Sequence, residues 1–134
     1  MQEIKFRGMR PNSKKWITGG YVQKGIFAYI LGNGHFEIEC STEVLPGTVG
    51  QYTGLKDSKR TKEYPEGQEI YEGDKIIATF YNEIYPREYI VSWHDNMASF
   101  ILAMKPNSGY PFDSHGVHSI EVIGNIHDNP ELIK

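Results

Sequence analysis

Along most of the chain apolar and polar residues alternate with a period of two, the signature of strands buried on one face. In His35-Phe36-Glu37-Ile38-Glu39-Cys40 the apolar Phe36 and Ile38 share a face with Cys40, and His35, Glu37 and Glu39 share the other. The apolar run Ile26 to Leu31 precedes it, and Gly32-Asn33-Gly34 between them holds the Asn-Gly pair that tight hairpin turns favour through positive φ. These two segments read as a β-hairpin. Lys75 to Tyr81 and Glu88 to Trp93 are rich in Ile, Val, Phe and Tyr, are separated by Asn82 to Arg87 with Pro86, and read as a second antiparallel pair. Ser99 to Met104 and Ser119 to Ile126 supply two more strands, while Ile4 to Arg7 and Trp16 to Val22 open the sheet system.

Helical spacing is scarce. No window of more than ten residues keeps apolar positions at i, i+3, i+4 and i+7 without an intervening breaker, and 14 Gly with 7 Pro punctuate the chain at strand-like intervals. A single helical turn is expected around Glu43 to Thr48 or near Pro130 to Ile133. The pattern predicts an all-β fold of short antiparallel strands with little helix: a small barrel, or two sub-barrels of SH3-like or sandwich-like kind. Its length of 134 residues suits one domain over 1–134, any division into two β sub-barrels falling near 54–70. Lys56 to Gln68 is the longest polar stretch and the natural candidate for a mobile segment.

Composition narrows the class. Hydrophobic residues at 39% and charged residues at 23% fit a folded, soluble protein, and the longest apolar run, Ile26 to Leu31, is far too short for a membrane helix. Met1-Gln2-Glu3-Ile4-Lys5 has no apolar core of a secretory signal, and the single Cys40 has no internal disulfide partner, so the cytoplasm is the expected compartment. Net charge is −3, yet it is unevenly spread: residues 1–24 carry six Lys or Arg against Glu3, whereas residues 64–134 carry four bases against eleven acids. A basic arm of this kind can face phosphate, or it can pack against the acidic half of its own chain or of a neighbouring subunit. The packing reading is the simpler one.

Catalytic constellations fare poorly. Cys40 and His35 would make a nucleophile and base, but their odd spacing sends the side chains to opposite faces of one strand. His35, Glu37 and Glu39 suit a divalent metal on paper, although an outward polar face accounts for them as well. Asp113, His115 and His118 lie in the loop Asn107 to Ser119 and would serve a metal-dependent hydrolase, yet no second ligand pair accompanies them. His94-Asp95-Asn96 and His127-Asp128 read as turns, and Gly32-x-Gly34 lacks the lysine and helix of a phosphate cradle. The expectation is a protein that is not an enzyme, without metal or cofactor. A basic set with an aromatic, Lys5, Arg7, Arg10, Lys14, Lys15 and Trp16, is the candidate nucleic-acid surface, assisted by Phe6 and the Lys56 to Lys62 loop. The acidic C-terminal half argues against it.

Some short motifs carry architecture. In Tyr71-Glu72-Gly73-Asp74-Lys75-Ile76 the glycine permits a turn with positive φ, and Asp74 can accept from nearby backbone amides to launch the next strand. Ile123-Gly124-Asn125 marks a bulge or a close backbone approach, and Asn129-Pro130-Glu131-Leu132 turns the chain.

Three stretches go further. Thr48-Val49-Gly50-Gln51-Tyr52-Thr53-Gly54-Leu55-Lys56-Asp57, then Glu69-Ile70-Tyr71-Glu72-Gly73-Asp74-Lys75-Ile76, then Glu121-Val122-Ile123-Gly124-Asn125-Ile126-His127-Asp128-Asn129-Pro130-Glu131-Leu132 resemble the YopX family of phage and prophage proteins. The opening Ile4-Lys5-Phe6-Arg7-Gly8, with Trp16 and Gly20, is similar to the family's N-terminus, so the resemblance runs from residue 4 to residue 132 in the family's order. It implies a small, predominantly β, intracellular, phage-derived protein that self-associates. The family has no accepted catalytic residues, so none is carried over. Thr53, Gly54, Asp57, Glu72, Gly73, Asp74, Gly124, Asn125 and Pro130 belong to the matching blocks and are expected to be structural. One departure is visible: the family joins its first two blocks by a short turn, whereas Ser58 to Gln68 makes a longer loop. The expected role is that of a non-catalytic accessory protein, self-associating and acting through contacts with a host or phage protein, with no membrane partner. The alternative is a nucleic-acid-binding β-barrel module that uses the basic N-terminal arm.

Overall fold

The computed structural model describes residues 3–32, 41–81, 83–105, 108–111 and 117–128. The predicted turn and strand at 33–40, and the turn around Pro130, lie outside these residues. The chain divides into two compact units, Met1–Gly54 and Leu55–Lys134.

In the first unit the strands are β1 (Phe6–Met9), β2 (Trp16–Lys24), β3 (Phe27–Leu31), β4 (Ser41–Val44) and β5 (Gly50–Lys56), in the sheet order β4-β3-β2-β1-β5. β2 and β3 form a hairpin that turns at Gly25, whose φ of 62° suits a residue without a Cβ. Ile26 to Leu31 therefore finds a neighbour upstream, and its other edge pairs with β4 through Leu31 opposite Ser41 and Ala28 opposite Val44. Ala28, Ile30 and Val44 are buried at the centre, with Phe6, Ile17, Tyr21 and Val49 packed around them. The helical turn expected near Glu43 to Thr48 is a 3-10 turn over Pro46–Thr48. Proline, lacking an amide, starts it without loss, and Thr48 closes it by donating Oγ1 to the Leu45 carbonyl at 2.6 Å while accepting from the Met9 amide at 2.9 Å.

The second unit holds β6 (Glu69–Tyr71), β7 (Asp74–Phe80), β8 (Arg87–His94), β9 (Ser99–Lys105), β10 (Ser108–Pro111) and β11 (Val117–Asn125). β5 runs past the boundary into this unit, where β6 follows it in the sheet order. The remaining strands form a five-stranded antiparallel sheet, β10-β9-β8-β7-β11. Ile70, Ile76, Ala78, Tyr89, Val91, Leu102 and Ile120 make its core, against which Phe80, Phe100 and Val122 pack. Phe80 meets Tyr89 edge-on at 5.8 Å, the geometry that aromatic quadrupoles favour.

The fold is thus all-β, with two antiparallel sheets and little helix. Barrel closure is not found among the described residues. Among the described residues one sheet order ends on β4 and β6 and the other on β10 and β11, with no strand joining the ends. The four-residue β10 ends on Pro111, which has no amide to offer a further strand.

Candidate functional site

The basic N-terminal residues are arranged by the β1–β2 hairpin. Met9 opposite Trp16 is its last pair, and the turn beyond is closed by the Arg10 amide on the Lys15 carbonyl at 2.9 Å and the Lys14 amide on the Arg10 carbonyl at 3.2 Å. This brings Arg10, Lys14 and Lys15 to one exposed tip. Arg7 stands opposite Thr18, two places from the Met9–Trp16 pair, which puts its side chain diagonally across from Trp16 on one face. Its guanidinium lies over the Trp16 ring at 4.5 Å, and Arg7 is buried. Lys5 is bridged to Glu3 at 2.9 Å and sits over the Tyr52 ring at 5.1 Å. Of the candidate set, three cations share the tip, Arg7 and Trp16 form a stack below it, and Lys5 is engaged elsewhere.

The Lys56 to Gln68 segment carries hydrogen bonds and ion pairs at its base and at its tip. Asp57 and Gln68 exchange backbone and side-chain bonds, the Asp57 amide donating to the Gln68 carbonyl at 2.9 Å and the Gln68 amide to Asp57 Oδ1 at 2.9 Å. Thr61 and Tyr64 close the tip through the Tyr64 amide on Thr61 Oγ1 at 2.9 Å. Lys56 pairs with Glu66 at 3.4 Å, Lys59 with Glu121 at 2.9 Å, and Arg60 donates to the Asp57 carbonyl at 2.7 Å. Three of the loop's four cations are therefore bonded within their own chain, which weakens the phosphate reading there. The hydrogen bond and charge of Glu121 raise the Lys59 pKa above its ordinary value. Burial, then the neighbouring Glu63, raises that of Tyr64.

Two open clefts flank the Lys59–Glu121 pair. One, of about 410 Å³, has Ile77, Thr79 and Ser119 in its lining; the other, of about 370 Å³, has Thr61, Tyr64 and Gln68. These walls mix polar groups with apolar ones, Ile77, Pro86 and Ile120 in the first and Val122 in the second, and among the described residues no group of three or more His, Cys, Asp or Glu is placed to hold a metal. Within the hydrolase candidate, His118 lies against the Tyr81 ring at 5.3 Å, while Asp113 and His115 fall outside the described residues. Cys40, His35, Glu37 and Glu39 fall outside them too.

Most of the structural motif residues lie in the second unit, whereas Thr53 and Gly54 end the first. Asp57, from the first matching block, accepts the Val122 amide of the third on Oδ2 at 3.2 Å. Gly73, from the second, has φ 93° and accepts the Ile126 amide at 3.0 Å, while Asp74 Oδ2 takes the Tyr71 amide at 2.8 Å across the same turn. Asn125 Oδ1 gathers the amides of His127 and Asp128 at 2.9 and 2.7 Å, and its Nδ2 donates to Asp128 Oδ2 at 2.8 Å. The register of β11 on β7 slips between Val122 and Gly124, a bulge centred on Ile123. Thr53 is buried on β5, Gly54 beside it has φ 88°, and Glu72 is half-buried in its turn.

One feature escaped the sequence reading. Between β7 and β8, at the end of the predicted strand Lys75 to Tyr81 and in the Asn82 to Arg87 segment after it, Tyr81, Ile84 and Tyr85 are 69, 87 and 77% exposed. The sequence signal was present, an Ile-Tyr pair inside a polar turn, but a turn and an apolar protrusion look alike without coordinates.

No helix among the described residues is long and apolar enough to cross a membrane. Neither curated proteins nor solved structures yield a match to this chain. The family model described as YopX protein matches residues 5–134, nearly the full length and all three of the blocks that interlock in the second unit. The chain belongs to the YopX family of phage and prophage proteins.

Proposed function

We propose that this chain is a non-catalytic accessory protein of the phage or prophage, working in the cytoplasm, that self-associates and acts through protein contacts. The exposed Tyr81, Ile84 and Tyr85 carry this reading. Large apolar side chains gathered on one loop lose unfavourable contact with water when a partner covers them, and aromatic anchors of this kind concentrate interface energy. The basic hairpin tip and the excess of acids in residues 64–134 add complementary charge for contacts between subunits. Light scattering at about 50 µM tests it, because association is a matter of mass action. The expected mass exceeds the 15.3 kDa monomer and falls to it in Ile84→Asp/Tyr85→Asp. A wild-type monomer throughout would remove the self-association.

A second reading, nucleic-acid binding through the β1–β2 hairpin, is favoured by Arg10, Lys14 and Lys15 on one tip above the Arg7–Trp16 stack. Anisotropy titrations of short DNA at about 50 and 200 mM salt should then show binding that weakens steeply with salt. Lys14→Glu/Lys15→Glu should reduce both the affinity and the salt slope. Binding that ignores this substitution counts against the surface.

A further inference from the structure

β11 is a terminal strand of its sheet, with β7 on one side and, among the described residues, no strand beyond the other. Its pairing to β7 places Ser119 opposite Thr79 and Glu121 opposite Ile77, and the amides of Ile120 and Val122 point to the outer edge, away from β7. A bare edge of this length is a template for another chain's strand.

That edge is occupied by a corner of the Lys56 to Gln68 loop. The Ile120 amide donates to Ser58 Oγ at 2.8 Å, the Ser58 amide to the Ile120 carbonyl at 2.8 Å, and the Val122 amide to Asp57 Oδ2 at 3.2 Å. Two of the three acceptor or donor partners are matched by side-chain oxygens instead of a strand backbone. A corner of this kind satisfies the edge without presenting a further ladder of its own. It is held from outside as well: Gln68 grips Asp57 through two bonds, Arg60 binds its carbonyl, and Lys59 reaches over to Glu121. Gly67, at φ 98°, backs so closely on the Asp57 carbonyl that a Cβ there would collide with it.

We infer that the Asp57–Ser58 corner is a guard that holds the outer edge of β11 closed against β11 of a second copy of this chain. A second copy is the occupant the strand itself specifies, because antiparallel pairing of one edge with its own image closes as a two-fold dimer. In the register centred on Ile120, Glu121 meets Ser119, so no like charges stand opposite each other there. The β11 edge at Ile120 and Val122 bonds to Asp57 and Ser58, whereas the loop of Tyr81, Ile84 and Tyr85 reaches β11 through the Tyr81–His118 ring contact.

The test is made in the Ile84→Asp/Tyr85→Asp background, so that association through that loop does not enter the reading. Ser58→Ala should speed exchange of the Ile120 amide about tenfold, the loss of one modest hydrogen bond. Asp57→Ala/Ser58→Ala should open both amides and about double the mass in light scattering, as a two-fold dimer requires. Adding Val122→Pro should return the mass to monomer, since that amide faces outward and its loss spares the β7 ladder. If the double variant loses its folded near-ultraviolet signal, Ser58→Ala alone carries the mass measurement. Amides that open while the mass stays monomeric would overturn the inference. So would unchanged exchange at Ile120 in Ser58→Ala, or a larger mass that Val122→Pro leaves in place.

Discussion

The Val122 amide and the Asp57 carboxylate are bonded at 3.2 Å across 65 positions of sequence, and Asp57 is only 3% exposed. A carboxylate this buried is tolerated because both oxygens are used, the other taking the Gln68 amide at 2.9 Å. Asp57→Ala leaves two amides without their acceptors and is expected to cost about 2–4 kcal/mol in urea unfolding. Asp57→Asn, which keeps one acceptor oxygen, should cost less. Equal losses in the two variants would mean that the carboxylate's bonds are not what holds the loop.

Gly8 and Val44 make a size-matched pair. A Cβ on Gly8 would fall 2.6 Å from Val44 Cγ2, and Val44 is buried at the centre of its core. Gly8→Ala should destabilise by about 1–3 kcal/mol through overpacking. In the double variant with Val44→Ala, part of that loss should return, with a coupling of at least about 0.5 kcal/mol. Additive losses would refute the contact.

Lys14 holds the left-handed φ of 54° at the hairpin tip. Lys14→Gly relieves that strain and should raise thermal stability by up to about 1 kcal/mol, after the added freedom of the unfolded glycine is subtracted. A fall in melting temperature would show that the lysine side chain supports the turn.

The Lys56 to Gln68 loop should loosen at the alkaline end. Lys59 is raised above 10.5 by Glu121, and Tyr64 above 10.0 by burial. Groups raised in the fold contribute fully below their ordinary values, and the contribution fades as pH climbs through the raised ones. Phenolate absorbance and near-ultraviolet dichroism should therefore change together above about pH 10. Lys59→Met should remove the lysine part and leave the Tyr64 part. A loop signal that moves instead between neutrality and pH 9 would contradict this assignment.

Strands were legible where alternation was clean. The predicted Lys75 to Tyr81, Glu88 to Trp93 and Ser99 to Met104 correspond to β7, β8 and β9 within a residue or two. β5, Gly-Gln-Tyr-Thr-Gly-Leu-Lys, was not legible as a strand because Gly54 interrupts its pattern with a φ of 88°. β10 lies in a Ser- and Gly-containing stretch with no alternation, and is a strand because the edge of β9 pairs with it. The loop's contacts were not legible for a related reason. Its polarity was plain, but the acceptors and donors that bind Asp57 and Ser58 sit on Ile120 and Val122, which no local window contains. The matching family blocks pointed to the right residues without showing that the blocks touch. Of the basic set, sequence proximity gave the tip of Arg10, Lys14 and Lys15, and the stack of Arg7 on Trp16 needed the hairpin register.

The position of β11 also has a consequence in time. The strands of the first unit lie within residues 6–56, so its sheet can form while later residues are still being synthesised. The second unit has no such freedom, since β11 supplies the outer neighbour of β7, the seat for Asp57 and Ser58, and, just after it, the amide that caps Gly73. A nonsense codon between residues 57 and 117 would strip all three at once. The product would be a chain with one finished half and one half that proteases can enter, and gene decay near the 3′ end would erase the second unit well before it touched the first.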